Sequence, residues 1–229
     1  MKAVPRLTAA IIALTALFAG ARAAGAQQEF PPPQGKGRVV MVSSGISGPE
    51  HYRKISADIA KLGYDVVLVD SRKEEGTHGA AVKTDIAAAL AMPHALPGKV
   101  ALVGFSAGGG ELMYYATQWP DQVAMVAVWF PANSFIKDRP GFATRLSVPL
   151  VVFAGGKDHY RNECCTASGD QALADEVHRA NKMFDLTIYP EADHDFSRDG
   201  SHYNAKADAD AFEKTAAALA KYFPPNGGN

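Results

Sequence analysis

Short, continuous apolar runs alternate along the chain with segments whose apolar positions follow the period of a helix. Runs that are apolar on both faces are typical of buried parallel strands. The predicted strands lie at 38–42, 64–70, 99–103, 123–130, 149–155 and 185–189. The predicted helices lie at 51–62, 80–92, 111–116, 170–181 and 205–223. Strands that alternate with helices predict an α/β fold with a mostly parallel sheet.

The first 26 residues have the pattern of a secretory signal peptide. Lys2 and Arg6 give a positively charged start, and residues 7–19 are apolar apart from two threonines. A small-residue cleavage motif ends at Ala26. We therefore expect cleavage after Ala26 and a periplasmic or secreted protein. The apolar stretch is too short to span a bilayer, so no permanent membrane anchor is expected.

The rest of the chain is predicted to contain one folded domain. This domain covers 38–223, between an extended linker at 27–37, which contains three consecutive prolines, and a flexible tail at 224–229. A chain of 229 residues is long enough to bury a sizeable core. The formal net charge is −1, and no basic stripe indicates a nucleic-acid partner.

The pentapeptide Gly104-Phe105-Ser106-Ala107-Gly108 has the pattern of a nucleophile elbow. It follows a predicted strand and precedes a predicted helix, so the serine would lie in a sharp turn with its hydroxyl exposed. Side chains at 104 and 108 are expected to collide with each other there, and glycine leaves that space empty. The alternative is an ordinary glycine-rich turn, but the flanking elements favour a serine nucleophile.

A serine nucleophile needs a base, and the base needs an acid that orients it. Asp158 follows the strand at 149–155, and His194 follows the last predicted strand. The carboxyl ends of parallel strands meet at one edge of a sheet, where active sites of this fold class lie. We therefore predict Asp158 as the acid and His194 as the base. His159 and His202 compete for the role of base, and a mere turn cap is the alternative for Asp158.

An acyl-transfer site must also stabilise an oxyanion with N–H donors. One predicted donor is the backbone N–H of Ala107, directly after the serine. The second is expected in the loop after the first strand of the domain, at Ile46, with Gly45 as the alternative.

The two cysteines of the chain, Cys164 and Cys165, are adjacent. A vicinal disulfide, an intermolecular bond and two buried free residues are the alternatives. No ligand set with metal-site spacing is visible, and the predicted chemistry needs no organic cofactor, so neither is expected. The polar segment 159–169 directly follows the acid. We predict that it forms the rim of the substrate pocket and that the cysteine pair stiffens it.

Four segments together resemble the dienelactone hydrolase family of the α/β-hydrolases. They are 44–46, 104–109, 155–158 and 189–196. The resemblance implies a compact sheet with helices on both faces and a triad of Ser106, Asp158 and His194. The namesake enzymes have a cysteine nucleophile and a glutamate in the first loop, whereas this chain has Ser106 and no glutamate at 43–48. These differences favour a general serine esterase over an enzyme for dienelactone itself.

Only a turn-rich connection is expected between Trp129 and Leu150, where many α/β-hydrolases insert a lid. We therefore predict no large lid and an open pocket, with Trp129, Phe130 and Tyr160 as wall residues. The predicted activity is hydrolysis of a carboxylic ester, small lactone or thioester through an acyl-enzyme on Ser106. The predicted partner is a small-molecule ester. A serine peptidase with the same triad and a binding protein that has lost activity are the alternatives.

Overall fold

The structure, a computed structural model, describes residues 27–73 and 76–226. Within these ranges the strands are β1 (Gln28–Phe30), β2 (Val39–Ser43), β3 (Asp65–Val69), β4 (Val100–Phe105), β5 (Val123–Trp129), β6 (Leu150–Gly155) and β7 (Phe184–Tyr189). The α-helices are α1 (Arg53–Ala60), α2 (Ala80–Leu90), α3 (Ser106–Tyr115), α4 (Arg139–Arg145), α5 (Tyr160–Glu163), α6 (Ala167–Arg179) and α7 (Ala205–Tyr222). In the same part of the chain, no helix has both the length and the apolar character to cross a membrane. The expected signal peptide at 1–26 and the end of the predicted tail lie outside the described residues.

The strands form one sheet in the order β1-β3-β2-β4-β5-β6-β7. Every neighbouring pair is parallel except β1 with β3, which confirms the prediction of a mostly parallel sheet. After the central strand β2, the chain adds β3 on one side of it. It then crosses back and adds β4 on the other side, where β5, β6 and β7 follow in order. Between β2 and β4, where the order reverses, the following loops diverge and leave a crevice at the carboxyl edge.

Two buried clusters cover the two faces of the sheet. One packs against α2, α3, α4 and α6, and it includes Leu112 of α3 and Leu173 of α6. The other packs against α1 and α7, and it includes Ile55 of α1 and Leu219 of α7. Helices on both faces are therefore confirmed, and the apolar strands are buried on both sides because each face has its own core.

Part of the segment predicted as an extended linker, 27–37, forms the edge strand β1. Phe30 of this strand packs against the cluster that contains α1 and α7. The carboxylate of Glu29 accepts a hydrogen bond from the backbone N–H of His94 at 3.0 Å. A three-residue strand that begins with Gln28 and Glu29 has no apolar alternation, so its sequence does not distinguish it from extended coil.

Among the other differences from the predicted elements, two concern α3 and the connection after β5. α3 begins at Ser106 itself rather than at 111, so the serine is the first residue of the helix. The connection between β5 and β6 contains the seven-residue helix α4, whose first turn is capped by the carboxylate of Asp138 on the N–H of Gly141 at 2.9 Å. A helix of this size does not make a large lid, and the lidless prediction is confirmed.

Asp65, the first residue of β3, is a fully buried carboxyl group close to the edge strand. Burial, followed by the nearby carboxylate of Glu29, raises the pKa of Asp65 to about 7. A carboxyl group with a raised native pKa destabilises the fold progressively as the pH rises from about 4 to about 7, because the unfolded chain ionises first. We therefore expect Asp65→Asn to raise the free energy of unfolding at pH 8 by about 1–3 kcal/mol and to leave it nearly unchanged at pH 4.

Urea denaturation at the two pH values measures this effect. Asp121→Asn, at an exposed position, is the matched control and should change little at either pH. A gain of equal size at pH 4 and pH 8 would contradict the explanation, since it could not come from ionisation of Asp65.

Candidate active site

Ser106, His194 and Asp158 form one hydrogen-bonded chain at the carboxyl edge of the sheet. Ser106 Oγ lies 3.0 Å from His194 Nε2, and His194 Nδ1 lies 2.7 Å from Asp158 Oδ2. All three residues are buried, with His194 the most exposed at 6%. The structure thus brings together the three residues selected from the sequence. Their spacing suits transfer of a serine proton to a base that an acid orients.

The turn at Ser106 is tight because two glycines remove side chains that would collide with their surroundings. Ser106 itself has φ of +48°, in the left-handed region. A Cβ on Gly104 would lie 2.7 Å from Gly109 Cα, and one on Gly108 would overlap the carbonyl oxygen of Ser44. The expected collision between 104 and 108 is therefore wrong in detail. Each glycine instead makes room for a different piece of backbone.

Asp158 reaches His194 because the loops after β6 and β7 touch backbone to backbone. A Cβ on Gly156 would lie 2.7 Å from Pro190 Cα, so glycine permits the close approach of the two loops. One carboxylate oxygen of Asp158 binds the imidazole, and the other accepts the N–H of Tyr160 at 3.1 Å. With both oxygens engaged, the carboxylate has a fixed orientation towards the ring.

Aromatic neighbours also orient the ring of His194. Tyr160 stacks on it with a centroid distance of 4.3 Å and an interplanar angle of 2°. Phe130 contacts it edge-on at 5.1 Å. The backbone N–H of His194 donates to the carboxylate of Asp193 at 2.7 Å. The ring is therefore held by packing as well as by Asp158.

The two competing histidines occupy other environments. His159 points into solvent, where its side chain is 73% exposed and lies 3.7 Å from Glu163. The ring of His202 bonds through Nδ1 to the carbonyl oxygen of His194 at 3.0 Å. Among the described residues, neither ring bonds to Ser106. The geometry therefore selects His194.

A small cavity of about 40 Å³ lies beside the serine. Its wall combines Ser106 and His194 with Ile46, Tyr52, Tyr160 and Asp195. Ile46, the expected oxyanion donor, thus lies at the cavity. Ala107, the other expected donor, is the second residue of α3.

Trp129 and Phe130 do not form the wall of this cavity, and their prediction was wrong. Trp129 is fully buried, its ring packs on Phe153, and its indole N–H donates to the hydroxyl of Thr215 at 3.2 Å. Phe130 is also fully buried and touches the edge of His194 from within the core. A strand that is apolar on both faces has no alternation to show which side chains point towards the site.

Four other residues line the cavity although the sequence did not single them out as wall residues: Ser47, Tyr52, Asp195 and Ser201. Asp195 is only 8% exposed. One of its carboxylate oxygens accepts hydrogen bonds from the N–H and the hydroxyl of Ser201 at 2.8 and 3.2 Å. Tyr52 lies in a turn of 3-10 helix before α1, and the only signal for it is an aromatic residue soon after the loop at 43–48.

Cys164 and Cys165 form a vicinal disulfide, one of the alternatives left open by their spacing. Cys165 is fully buried, and its sulfur lies within 4.8 Å of side-chain atoms of Asp158 and His194. The carbonyl of Cys164 accepts the backbone N–H of Asn133 at 2.8 Å. The segment after the acid therefore packs beside the triad and is tied to the loop that follows β5.

The close approach of Asp158, Cys165 and His194 also raises the question of a metal centre. A cysteine binds a metal as its thiolate, and the disulfide removes that donor. The carboxylate and the imidazole already bond to each other. This trio therefore does not have the donor set of a metal centre.

Comparison with known proteins agrees with this geometry. A structure of a candidate dienelactone hydrolase from Klebsiella pneumoniae superimposes with a TM-score of 0.70 at 19% identity, covering 87% of this chain and 100% of the other. Esterase 2 of Thermogutta terrifontis, phosphorylated by paraoxon, superimposes with a TM-score of 0.69 at 16% identity, covering 88% of this chain and 90% of the other. P91, a dienelactone hydrolase-like promiscuous phosphotriesterase from metagenomic libraries, superimposes with a TM-score of 0.67 at 19% identity, covering 82% of this chain and 88% of the other. At these identities the likeness shows the α/β-hydrolase fold.

The family of the chain is shown by its sequence rather than by these structural similarities. No curated protein matches the chain at a significant level. The sequence profile described as the dienelactone hydrolase family, however, matches residues 68–223, more than half of the chain. That range includes the elbow and the loops that carry Asp158 and His194. This chain therefore belongs to the dienelactone hydrolase family and is a hydrolase that acts on esters.

Proposed function

We propose that the protein is a secreted or periplasmic serine hydrolase that cleaves a carboxylic ester, small lactone or thioester through an acyl-enzyme on Ser106. The observation that carries the proposal is the unbroken hydrogen-bonded chain from Ser106 through His194 to Asp158. The secretory address is supported by the pattern of residues 1–26.

In the first half of the reaction, Ser106 Oγ attacks the carbonyl carbon of the ester and its proton passes to His194 Nε2. Asp158 binds the opposite nitrogen of the ring, Nδ1, at 2.7 Å. It thereby holds the tautomer whose Nε2 is free to accept a proton, and it stabilises the imidazolium that forms.

In the second half, the bond between the carbonyl carbon and the alcohol oxygen breaks. The leaving alkoxide takes the proton from His194 Nε2 and departs as the alcohol. Water then attacks the acyl-serine while neutral His194 removes its proton. The bond between the acyl carbon and Ser106 Oγ breaks, His194 returns the proton to Oγ, and the carboxylic acid is released. The imidazole thus takes a proton in each attack and gives it up in each bond-breaking step.

The developing oxyanion needs N–H donors, and we assign them to the backbone of Ala107 and Ile46. The first amides of a helix have no partner within it, and Ala107 occupies that place in α3. Ile46 lies at the cavity wall. Gly45, the alternative, is not among the residues that line the cavity, which favours Ile46 as the second donor.

The cavity supports a small acyl group. Its volume of about 40 Å³ has room for only a few water molecules, which matches an acetyl group better than a fatty acyl chain. The loop at 43–48 contains no acidic residue, unlike the first loop of the namesake enzymes, which argues against dienelactone as the substrate. A short-chain ester is therefore the proposed substrate class.

A fluorophosphonate tests the proposal without knowledge of the substrate. Ser106 Oγ should attack phosphorus, fluoride should leave, and intact-mass analysis should show one adduct on the wild-type protein. The Thermogutta esterase, which shares the fold, is phosphorylated by paraoxon. The Ser106→Ala variant should form no adduct, whereas the control Ser168→Ala, at an exposed position, should react like the wild type. A folded wild-type protein that forms no adduct would contradict the proposal.

Reduction of the vicinal disulfide is expected to slow turnover. The disulfide lies shortly after Asp158 and its neighbour Tyr160, which stacks on His194, and small displacements of catalytic groups are costly. Dithiothreitol should reduce the disulfide to two thiols and lower kcat for a short-chain ester by roughly 10-fold. The double variant Cys164→Ser/Cys165→Ser should be as slow as the reduced enzyme and insensitive to the reductant. A wild-type rate that dithiothreitol leaves unchanged, although the disulfide is reduced, would exclude this role.

A further inference from the structure

Tyr52 lies beside the nucleophile although it is distant from it in the sequence. Its ring stacks on Phe105, the residue before Ser106, with centroids 4.3 Å apart and an interplanar angle of 26°. Tyr52 is 2% exposed, and it lines the same cavity as Ser106 and His194. The stacking fixes the direction of the ring and therefore the position of its hydroxyl.

The hydroxyl of Tyr52 occupies the space that a side chain at position 45 would need. A Cβ on Gly45 would lie 2.6 Å from Tyr52 Oη and 3.2 Å from Ser106 Cβ. The Cα of Gly45 is thus flanked by the hydroxyl and by the nucleophile. The neighbouring residue in the same loop is Ile46, whose N–H we assign to the oxyanion. The hydroxyl therefore lies next to the loop to which we assign an oxyanion donor, and in the cavity that Ser106 also lines.

The hydroxyl is held in its protonated form and oriented as a donor. Burial, and then the negative charge of Asp195, raises the pKa of Tyr52 far above its usual range. The nearby backbone of Gly45 acts in the opposite direction, but it has a smaller effect on the pKa than burial or Asp195. Among the described residues, none accepts the proton of the hydroxyl. That proton is free to point into the cavity.

We propose that the hydroxyl of Tyr52 is a third donor to the oxyanion, beside the amides of Ala107 and Ile46. Tyr52 donates a hydrogen bond and keeps its proton, so the proton inventory of the reaction is unchanged. A preorganised donor in a buried site stabilises the tetrahedral intermediate more than the planar ester, because the charge forms only there. This role rests on the proposed acyl-enzyme chemistry and adds a catalytic side chain to it.

The variant Tyr52→Phe tests the proposal, since it removes the hydroxyl and keeps the ring that stacks on Phe105. We expect kcat for a short-chain ester to fall by about 100-fold with KM changed less than about 3-fold. A trifluoromethyl ketone, which adds Ser106 Oγ and carries an oxyanion, should bind about 100-fold more weakly. The corresponding trifluoromethyl alcohol, which cannot form the oxyanion, should bind equally to both proteins.

Tyr64→Phe is the matched control, because Tyr64 is equally buried and donates its hydroxyl to the carbonyl of Phe223 at 2.9 Å, away from the cavity. It should lower stability and leave kcat and ketone binding unchanged. An unchanged kcat in Tyr52→Phe, or equal losses of ketone and alcohol binding, would show that Tyr52 only shapes the loop. A wild-type protein that neither binds the ketone nor forms the fluorophosphonate adduct would overturn the acyl-enzyme proposal, and this role with it.

Discussion

Replacement of His194 by alanine is expected to lower kcat for a short-chain ester by about 10⁴–10⁶-fold. In the part of the chain that the structure describes, Ser106 then has no group within hydrogen-bond distance that can take its proton, since the imidazole nitrogen at 3.0 Å is gone. The variant should also lose some stability, because the buried carboxylate of Asp158 loses its imidazole partner, so the rate is measured on protein shown to be folded. Initial rates with a chromogenic acetate ester measure the loss.

Two further variants show whether the three residues act as a unit. Asp158→Asn should cost about 10⁴-fold in kcat, because the amide favours the wrong tautomer of the ring. The double variant Asp158→Asn/His194→Ala should be no slower than His194→Ala alone, since the acid acts only through the base. His159→Ala, on an exposed ring, is the matched control. A folded His194→Ala variant that keeps more than about 1% of the wild-type rate would assign the base elsewhere.

Replacement of Gly108 by alanine is expected to lower the free energy of unfolding by at least about 3 kcal/mol. The added methyl group would overlap the carbonyl oxygen of Ser44 and would lie 3.0 Å from Ser71 Cβ. The carbonyl belongs to the backbone directly after β2, in the centre of the sheet, so it cannot move aside. Gly104→Ala should behave alike, with its Cβ 2.7 Å from Gly109 Cα. Urea denaturation followed by circular dichroism measures both losses.

Gly109→Ala is the matched control within the same helix turn. Its Cβ would lie 3.2 Å from the backbone of Gly104, a contact that small shifts can relieve. We therefore expect this variant to lose no more than about 1 kcal/mol and to keep its activity. A Gly108→Ala protein as stable as Gly109→Ala would mean that the elbow has more room than its contacts indicate.

Most of the sheet could be predicted because its strands are continuous apolar runs, as at 123–129. The order of the strands could not, since it depends on pairing between segments far apart in the chain. β1 escaped prediction because Gln28 and Glu29 are polar and the strand is stabilised by the edge it joins rather than by its own pattern. The local pattern of apolar residues therefore predicts strands that bury their own side chains. It does not predict strands that are stabilised mainly by tertiary contacts.

The candidate triad could be selected because each member follows a strand end and the order of the three along the chain is characteristic. Trp129 also lies at the end of a strand, yet its side chain points into the core. No local pattern distinguishes the two faces of a fully buried strand. Tyr52 illustrates a different limit. Its hydroxyl occupies space that a side chain at position 45 would need, and Gly45 leaves that space empty. This contact joins two positions, and neither residue indicates it by itself.

The loops of the triad come from different regions of the sheet, and this has a consequence for folding. The elbow lies between β4 and α3 at the centre, whereas His194 follows β7, an edge strand that pairs only with β6. The central strands can therefore acquire their native hydrogen bonds before the imidazole arrives. During refolding, the far-ultraviolet signal should follow the centre of the sheet, and regain of turnover should follow the docking of β7. Ester turnover would thus mark the closing of the C-terminal edge, a late event that contributes little to the total signal of secondary structure.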